Sequence, residues 1–250
     1  MTIPTYALMA MIGLIVASLY LLFRLETVNL TFKGFLIYLI IGIMGLLLFS
    51  RILFVISEIP NMDTYRPEAF LDNFLHGGIV FYGGMLGLLL TVYIITKVRK
   101  DNTRDILEFI APAIPLFHGF ARIGCLLTGC CYGIPWSWGV IMAETPDVVR
   151  FPVQLVESLC DFIIFFMIQK LKKKGCNRTL EVYLFSYAVC RFVLEFFRGD
   201  EIRGLWWVGI STSQIVSLII MVVVAIRFVK SRKQNGSRET KSNESVEAKE

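Results

Sequence analysis

Long apolar runs separated by short polar segments dominate this chain. A helix that crosses a bilayer needs about 20 mostly apolar residues, because each adds about 1.5 Å across roughly 30 Å of hydrocarbon. The pattern predicts about seven transmembrane helices, at residues 5–23, 34–57, 77–96, 106–128, 153–169, 180–197 and 209–229. The expected fold is therefore an all-α, polytopic membrane protein.

The two ends of the chain differ in character. The first apolar run lacks a basic segment before it and a clear small-residue cleavage site after it, so it is interpreted as a membrane helix and not as a cleaved signal peptide. Residues 231–250 are rich in Lys, Glu, Ser and Asn, which predicts a disordered cytoplasmic tail. The domain prediction is a seven-helix membrane domain over residues 1–230 followed by this tail.

Basic residues in short loops predict the orientation of the helices, because cytoplasmic loops carry an excess of Lys and Arg. About fifteen Lys and Arg residues lie at the ends of odd-numbered spans, before the next span or in the tail. The opposite loops hold four, which are Arg66, Arg150, Arg198 and Arg203. We therefore expect the N-terminus outside the cell and the C-terminus in the cytoplasm.

Composition supports a membrane protein and excludes other classes. Hydrophobic residues make up 56% of the chain and charged residues 18%, whereas soluble domains average about 45–50% and about 25%. So few charged residues are not enough to cover the surface of a soluble enzyme. The net charge of +5 is accounted for by the basic loops, so the expected partner is a lipid bilayer and not nucleic acid. Six cysteines in 250 residues are too few for a disulfide scaffold.

Charged residues inside the apolar runs are the first candidates for function. A charge at the bilayer centre costs at least about 2.5–3.5 kcal/mol, so it normally faces a bundle interior or a wet cavity. Arg191 and Glu195 are four residues apart and share a helix face. They form either a structural ion pair or part of a site for an anion, since guanidinium groups bind phosphate through two parallel donors. Arg122, on another span, is expected to approach the same cavity.

Glycines, cysteines and histidines leave several interpretations open. Gly83 and Gly84 belong to a glycine cluster that indicates either close helix packing or backbone N–H groups that meet a phosphate. Three cysteines follow Arg122. His76 and His118 each stand alone and are interpreted as structural. No His and Cys pattern has zinc spacing, so neither a metal site nor a cofactor is predicted.

The cysteine group near the end of the fourth span comprises Cys125, Cys130 and Cys131. Guanidinium neighbours favour a thiolate, so one interpretation is a reactive thiol that handles a proton or forms a covalent bond. A disulfide between Cys125 and a later thiol is the second interpretation, and close packing against glycine is the third.

Five ordered segments carry a family resemblance. They are IPTYALMAMIG, GGIVFYGGMLG, ARIGCLLTGCCYG, FPVQLVES, and RFVLEFFRGDE followed by STSQ. Together, over about residues 3–230, the chain resembles the prolipoprotein diacylglyceryl transferases. The resemblance implies transfer of a diacylglyceryl group from phosphatidylglycerol to the lipobox cysteine of a prolipoprotein, in the cytoplasmic (plasma) membrane of a bacterium.

The resemblance also implies site residues. Those expected to bind substrate are Tyr6, Gly83, Gly84, Arg122, Gly129, Gly133, Gln154 and Glu157. Arg191 and Glu195 match the family's R-x-x-x-E pair and are expected in the catalytic cavity.

Three positions depart from the family pattern. Tyr82 stands where the family has a histidine, Cys125 where it has an asparagine, and Cys130 where it has a glutamate. The hypothesis is that Tyr82 or Glu195 takes over the role of the histidine and that Cys130 is catalytic. A related transferase with a different acceptor, and a non-catalytic lipid-binding member of the fold, are the alternatives.

Overall fold

The computed structural model describes residues 5–58, 74, 80–142, 145–199 and 209–247. These residues are mostly helical. The α-helices with defined bounds are α1 (Thr5–Leu22), α2 (Phe32–Glu58), α3 (Phe81–Arg99), α4 (Thr103–Ile110), α5 (Ala113–Thr128), α6 (Val153–Lys173), α7 (Thr179–Leu194) and α8 (Thr212–Glu247).

Among the described residues, five helical segments are long and apolar enough to cross a membrane. They are Thr5–Leu22, Phe32–Ile56, Phe81–Arg99, Thr103–Thr128 and Thr212–Lys230. This confirms a helical chain with several membrane-compatible segments. Helix α7 has only 16 residues, about 24 Å at the α-helical rise, and α6 contains buried charges. The count of seven spans and the orientation therefore stay predictions.

Two predicted spans differ from the structure in detail. The segment predicted at 106–128 consists of α4 and α5, which are separated at Ala111 and Pro112. Proline lacks the backbone N–H that would continue the hydrogen-bond ladder, so a break there is expected. The segment predicted at 77–96 becomes helical at Phe81 and continues to Arg99. His76, Gly77 and Gly78 lie outside the described residues.

A β-hairpin follows α5 and corrects the helix-only prediction. Strand β1 (Pro135–Met142) pairs antiparallel with β2 (Thr145–Arg150), and Ile141 lies opposite Val149. Trp, Val and Ile favour extended backbone, but the two strands have only 8 and 6 residues. Their apolar residues therefore form no run long enough to predict a membrane span.

The last helix also extends beyond the predicted boundary. Helix α8 continues to Glu247, whereas the composition predicted a disordered tail from residue 231. Lys, Arg, Glu and Gln in this segment are good helix formers even without an apolar face to bury. The division into a membrane domain and a tail remains a prediction.

Close packing between helices builds the frame of the site. Helix α1 packs on α5, α2 on α3, α6 on both α5 and α7, and α8 on α7. Glycines set the approach of α2 to α3, since a Cβ at Gly87 would lie 2.5 Å from the carbonyl oxygen of Gly45. The glycine cluster was interpreted either as close helix packing or as a phosphate site. Close packing is confirmed for those glycines of α3 that the structure describes and that contact α2.

Candidate active site

Two pairs of buried ionisable residues connect α5 and α6. His118 and Arg122 lie four residues apart on α5, and Glu157 and Asp161 lie four apart on α6, so each pair occupies one helix face. Arg122 Nη2 is 2.8 Å from Glu157 Oε2, and His118 Nδ1 is 2.7 Å from Asp161 Oδ2. The two helices therefore meet through two polar contacts one turn apart.

Helix α7 adds a second arginine to the first of these contacts. Arg191 Nη1 lies 3.5 Å from Glu157 Oε2, and its Nη2 lies 2.7 Å from Glu195 Oε2. The hydroxyl of Tyr187 donates a hydrogen bond of 3.1 Å to Glu157 Oε1. We call Arg122, Glu157, Arg191 and Glu195 the charge cluster, in which Glu157 is shared by both guanidinium groups.

The charge cluster is buried, which determines its energetics. Exposure is 6% for Arg122, 2% for Glu157, 8% for Arg191 and 3% for Glu195. Moving charges out of water is costly, so such groups persist only with partners, and removing one partner typically costs 3–5 kcal/mol. The predicted ion pair of Arg191 with Glu195 is thus present. The Nε of Arg122 is buried without a hydrogen-bond acceptor among the described residues.

A cavity of about 830 Å³ opens onto the charge cluster. Its polar end also contains His118 and Arg198. The rest of the lining is mostly apolar and comes mainly from α1 to α5, including Leu14, Leu21, Leu46, Phe54, Val92 and Ile106. A ligand with one anionic end and long apolar chains matches this division.

The structure brings most of the sequence-predicted site residues to this cavity. Those that line it are Tyr6, Tyr82, Gly84, Arg122, Cys130, Glu157, Arg191 and Glu195. Four residues predicted to bind substrate do not line it, namely Gly83, Gly129, Gly133 and Gln154.

Each of these four residues has a different role in the fold. Gly83 faces α2, where a Cβ would collide with the carbonyl oxygen of Phe49. Gly129 ends α5 with a φ of 80°, a left-handed conformation that glycine adopts without a Cβ clash. Gly133 forms a bridge with Arg198. Backbone geometry explains these three glycines without a ligand.

Gln154 supports the turn that carries the cysteines. Its side chain is fully buried, and Nε2 donates a hydrogen bond of 2.7 Å to the carbonyl oxygen of Cys130. It therefore fixes the position of Cys130 from behind the cavity wall. Sequence alone did not separate this positioning role from direct binding, because both place the glutamine next to the same segment.

Tyr82 lines the cavity, but its hydroxyl is already engaged. The Tyr82 oxygen lies 2.6 Å from Ser217 Oγ on α8. Ser217 also donates to the carbonyl oxygen of Ser213 at 2.7 Å, so the tyrosine hydroxyl is the donor to Ser217. This contact connects α3 to α8 and gives Tyr82 a structural explanation.

His118, which the sequence analysis interpreted as structural, lines the cavity and becomes a candidate functional residue. Its ring stacks on Phe81 with centroids 3.5 Å apart at 19°, and the edge of Tyr187 packs against it. Together with the Asp161 contact, this fixes both the position and the orientation of the imidazole. The available signal was the matching four-residue spacing of His118 with Arg122 and of Glu157 with Asp161, on two different spans.

The three clustered cysteines also line the cavity. The sulfur atoms of Cys125, Cys130 and Cys131 all lie within 4.8 Å of one another, and none is in a disulfide. Arg122 Nη1 donates to Cys125 Sγ at 3.6 Å. The group of three cysteines therefore contacts the charge cluster, through Cys125 and Arg122.

Comparison with known proteins identifies the family of this chain. The family model described as prolipoprotein diacylglyceryl transferase matches residues 1–230. A phosphatidylglycerol–prolipoprotein diacylglyceryl transferase of Clostridium tetani is 34% identical over 74% of this chain and 75% of its own length. One named as transferase 2, from Clostridium perfringens, is 30% identical over 94% and 95%. This chain therefore belongs to the prolipoprotein diacylglyceryl transferase family.

Proposed function

We propose that this protein transfers the diacylglyceryl group of phosphatidylglycerol to the lipobox cysteine of prolipoproteins in the bacterial plasma membrane. The observation that carries this proposal is the charge cluster at one end of an otherwise apolar cavity. Phosphatidylglycerol has the same division, with one anionic phosphate and two acyl chains. The names of the relatives support the same pair of substrates.

Arg122 and Arg191 bind the phosphate in this proposal. A guanidinium group offers five N–H donors in a fixed plane, so each arginine can keep its carboxylate partner and still donate to a phosphate oxygen. Both arginines line the cavity, so a phosphate bound there lies next to them. As the bond from glycerol carbon to phosphate oxygen breaks, negative charge grows on the leaving phosphate. Guanidinium groups held in a dry site stabilise that charge.

His118 takes the proton of the acceptor thiol. The thiolate, and not the thiol, is the nucleophile, so the reaction requires a base. Asp161 faces Nδ1 of His118 at 2.7 Å, which leaves Nε2 as the nitrogen that accepts a proton, as in other carboxylate-oriented imidazoles. Glu195 is paired with Arg191 and Tyr82 is bonded to Ser217. Of these three candidates, His118 has the geometry of a base.

The reaction then balances in one displacement. The S–H proton passes to His118, and the thiolate sulfur forms a bond with the glyceryl carbon. The bond from that carbon to the phosphate oxygen breaks. Glycerol phosphate leaves the polar end of the cavity, and the two acyl chains remain in apolar surroundings throughout.

Seven spans with the N-terminus outside complete the proposal. The polar end of the cavity then lies toward the outer leaflet, near the segment that leads to the β-hairpin. Reporter fusions test it: those at Lys100 and Lys173 should report the cytoplasm, and those at Asp63, Asp147 and Glu201 the outside. A fusion at the C-terminus that reports the outer face would contradict the span count.

A purified-enzyme assay tests the activity. The protein is mixed with phosphatidylglycerol and a lipobox peptide, and both the thioether product and glycerol phosphate are measured. We expect both products from the native chain, and neither from Arg122→Ala. Arg227→Ala is the matched control, because the Arg227 side chain is 70% exposed on α8. Release of glycerol phosphate without peptide modification would indicate a different acceptor, and absence of both products would contradict the proposal.

A further inference from the structure

We propose that Cys125, Cys130 and Cys131 form a three-thiolate site for a thiophilic divalent metal ion such as Zn²⁺, whose fourth position takes the acceptor thiol. This inference rests on the proposed function for the identity of that thiol. The metal site itself rests on the geometry of the three cysteines.

The sulfur positions suit a single metal ion. In a tetrahedral site with Zn–S distances of about 2.3 Å, neighbouring sulfurs lie about 3.8 Å apart. The three Sγ atoms here all lie within 4.8 Å of one another, so small side-chain rotations bring them to that spacing. Cys131 adopts a φ of 57°. The turn at this position directs the side chains of Cys130 and Cys131 toward the sulfur of Cys125.

The surroundings of the sulfurs resemble those of a catalytic site more than those of a closed structural site. Structural zinc sites have four protein ligands, whereas catalytic sites have three and leave one position for water or substrate. Three cysteines form the group within the described residues, and all three line the cavity that contains the charge cluster. The fourth position is therefore expected to be reached from the cavity.

Positive neighbours balance the charge of such a site. Three thiolates and one divalent ion carry one excess negative charge, and a fourth thiolate adds another. Arg122 Nη1 already donates to Cys125 Sγ at 3.6 Å. Groups that hydrogen-bond to metal ligands orient them and tune the metal. The buried arginine therefore serves both the sulfur cluster and the phosphate site.

A bound metal ion would explain how Cys125 and Cys130, which depart from the family pattern, remain compatible with catalysis. A coordinating thiol is deprotonated outright at neutral pH. When the lipobox thiol occupies the fourth position, its proton passes to His118 or to water, and the sulfur remains a nucleophile bound next to the phosphate site. The sulfur then forms its bond with the glyceryl carbon while the bond from that carbon to the phosphate oxygen breaks, and glycerol phosphate leaves through the polar end of the cavity. The sulfur leaves the metal as a thioether, a much weaker ligand. The metal does not change its oxidation state.

Cobalt substitution in the full-length protein tests the metal site without reference to activity. Co²⁺ bound by thiolates gives an intense sulfur-to-metal band and the visible bands of a tetrahedral ion. We expect the reduced protein in detergent to show both bands at a one-to-one ratio, and Cys130→Ser to lower the affinity at least about 10-fold, as loss of a supporting group around a metal already does. Cys131→Ser is the second variant, and both positions are only half-buried.

A double variant provides the matched control. Cys160→Ser with Cys190→Ser removes two half-buried thiols of α6 and α7 that are outside the proposed site, and it should retain the cobalt spectrum. A spectrum that is unchanged in Cys130→Ser, or lost in the control, would overturn the proposal. Labelling by a maleimide only after reduction, in protein freshly isolated from membranes, would indicate a disulfide and would also overturn it.

A lipobox peptide separates this inference from the proposed function. Addition of the peptide should shift the cobalt bands, and a peptide with serine in place of the cysteine should not. If the bands form and shift but no lipid is transferred, the metal site stands and the transferase proposal fails. If Cys130→Ser transfers lipid at the native rate, the transferase proposal stands and the metal inference fails.

Discussion

Two groups of the same residue types lie at opposite ends of α3. The charge cluster with Tyr187 lies near its beginning, where Phe81 stacks on His118. Near its end, Arg99 Nε is 2.8 Å from Asp101 Oδ2, and the Tyr38 hydroxyl donates to the same oxygen at 2.7 Å. We call Arg99, Asp101 and Tyr38 the rim cluster. Both groups combine arginine, carboxylate and tyrosine at similar distances.

The two groups differ in their exposure to solvent. The Arg99 and Asp101 side chains are 30% and 28% exposed, whereas those of Arg122 and Glu157 are 7% and 2% exposed. An exposed ion pair contributes about 0–1 kcal/mol because water and salt screen it. In a dry cavity the same charges act strongly on a ligand, because little solvent competes with them. Burial, more than residue type, therefore indicates which of the two groups is the candidate site.

Replacing Arg122 should have the largest effect. Arg122→Lys retains the charge but loses the planar donors that bind a phosphate oxygen pair. We expect transfer activity to fall by about 10³-fold, the upper range for removing one donor to a developing anion. The assay of thioether product measures this, with Arg99→Lys in the rim cluster as the control. Near-native activity of Arg122→Lys would remove the phosphate role from the charge cluster.

The orientation of His118 should matter next. Asp161→Asn retains the size of the side chain but replaces the acceptor that holds the imidazole. General-base catalysis contributes about 10²–10⁴-fold, and we expect a loss of about 10²-fold in kcat with little change in KM for the lipid. The amount of folded protein is measured alongside, because a pure folding defect lowers this amount and leaves the kcat of the remaining folded protein unchanged.

Tyr82→Phe should have a modest effect on transfer activity, whereas replacement of a catalytic tyrosine would have a large one. The change removes the hydroxyl that bonds to Ser217 and retains the aromatic ring at the cavity wall. One such hydrogen bond is worth about 0.5–1.5 kcal/mol, so thermal stability should fall slightly while activity changes less than about 10-fold. Ser217→Ala should reproduce the loss of stability. A much larger loss of activity in Tyr82→Phe alone would restore the hypothesis that this tyrosine replaces the family histidine.

The rim cluster should produce the smallest effect and a distinct pH dependence. Partial burial raises the pKa of Asp101, but hydrogen bonds from Arg99 and Tyr38 outweigh it and hold the pKa below the ordinary value. A lowered pKa stabilises the fold above the ordinary aspartate pKa, and this contribution is lost as the pH falls through the folded value.

Asp101→Asn tests this dependence. We expect it to lower stability by up to about 1 kcal/mol at neutral pH and to leave transfer activity unchanged. The difference from the native chain should disappear in acid, which thermal unfolding in detergent measures at several pH values. A difference that persists below the aspartate range would contradict the electrostatic explanation.

The sequence predicted the central residues of the site because charge inside an apolar span is informative. Arg122, Arg191 and Glu195 were found in this way, and the structure brings all three to one cavity. Asp161 was not singled out, since its partner lies on a different helix 43 positions earlier in the sequence. A lone His118 likewise has no detectable function until the packing of α5 on α6 gives it a carboxylate.

Other features depend on geometry that hydrophobic periodicity does not report. The β-hairpin contains no long apolar run that would indicate it, and the break at Pro112 lies within one apolar run that spans two helices. Gly83, Gly129 and Gly133 were predicted to bind substrate, whereas the structure places them where the backbone approaches closely or turns. Equally, the sulfur cluster becomes a candidate metal site only when the turn after α5 brings Cys125, Cys130 and Cys131 together.

Lipid binding tests the central claim most directly, because it separates phosphate recognition from chemistry. The purified protein is titrated with phosphatidylglycerol and with uncharged diacylglycerol, and bound lipid is measured by native mass spectrometry. We expect the native chain to prefer phosphatidylglycerol, and Arg122→Lys to lose at least about 10-fold in that affinity while its binding of diacylglycerol is unchanged. Equal affinity of the native chain and Arg122→Lys for phosphatidylglycerol would contradict the assignment of the charge cluster as the phosphate site.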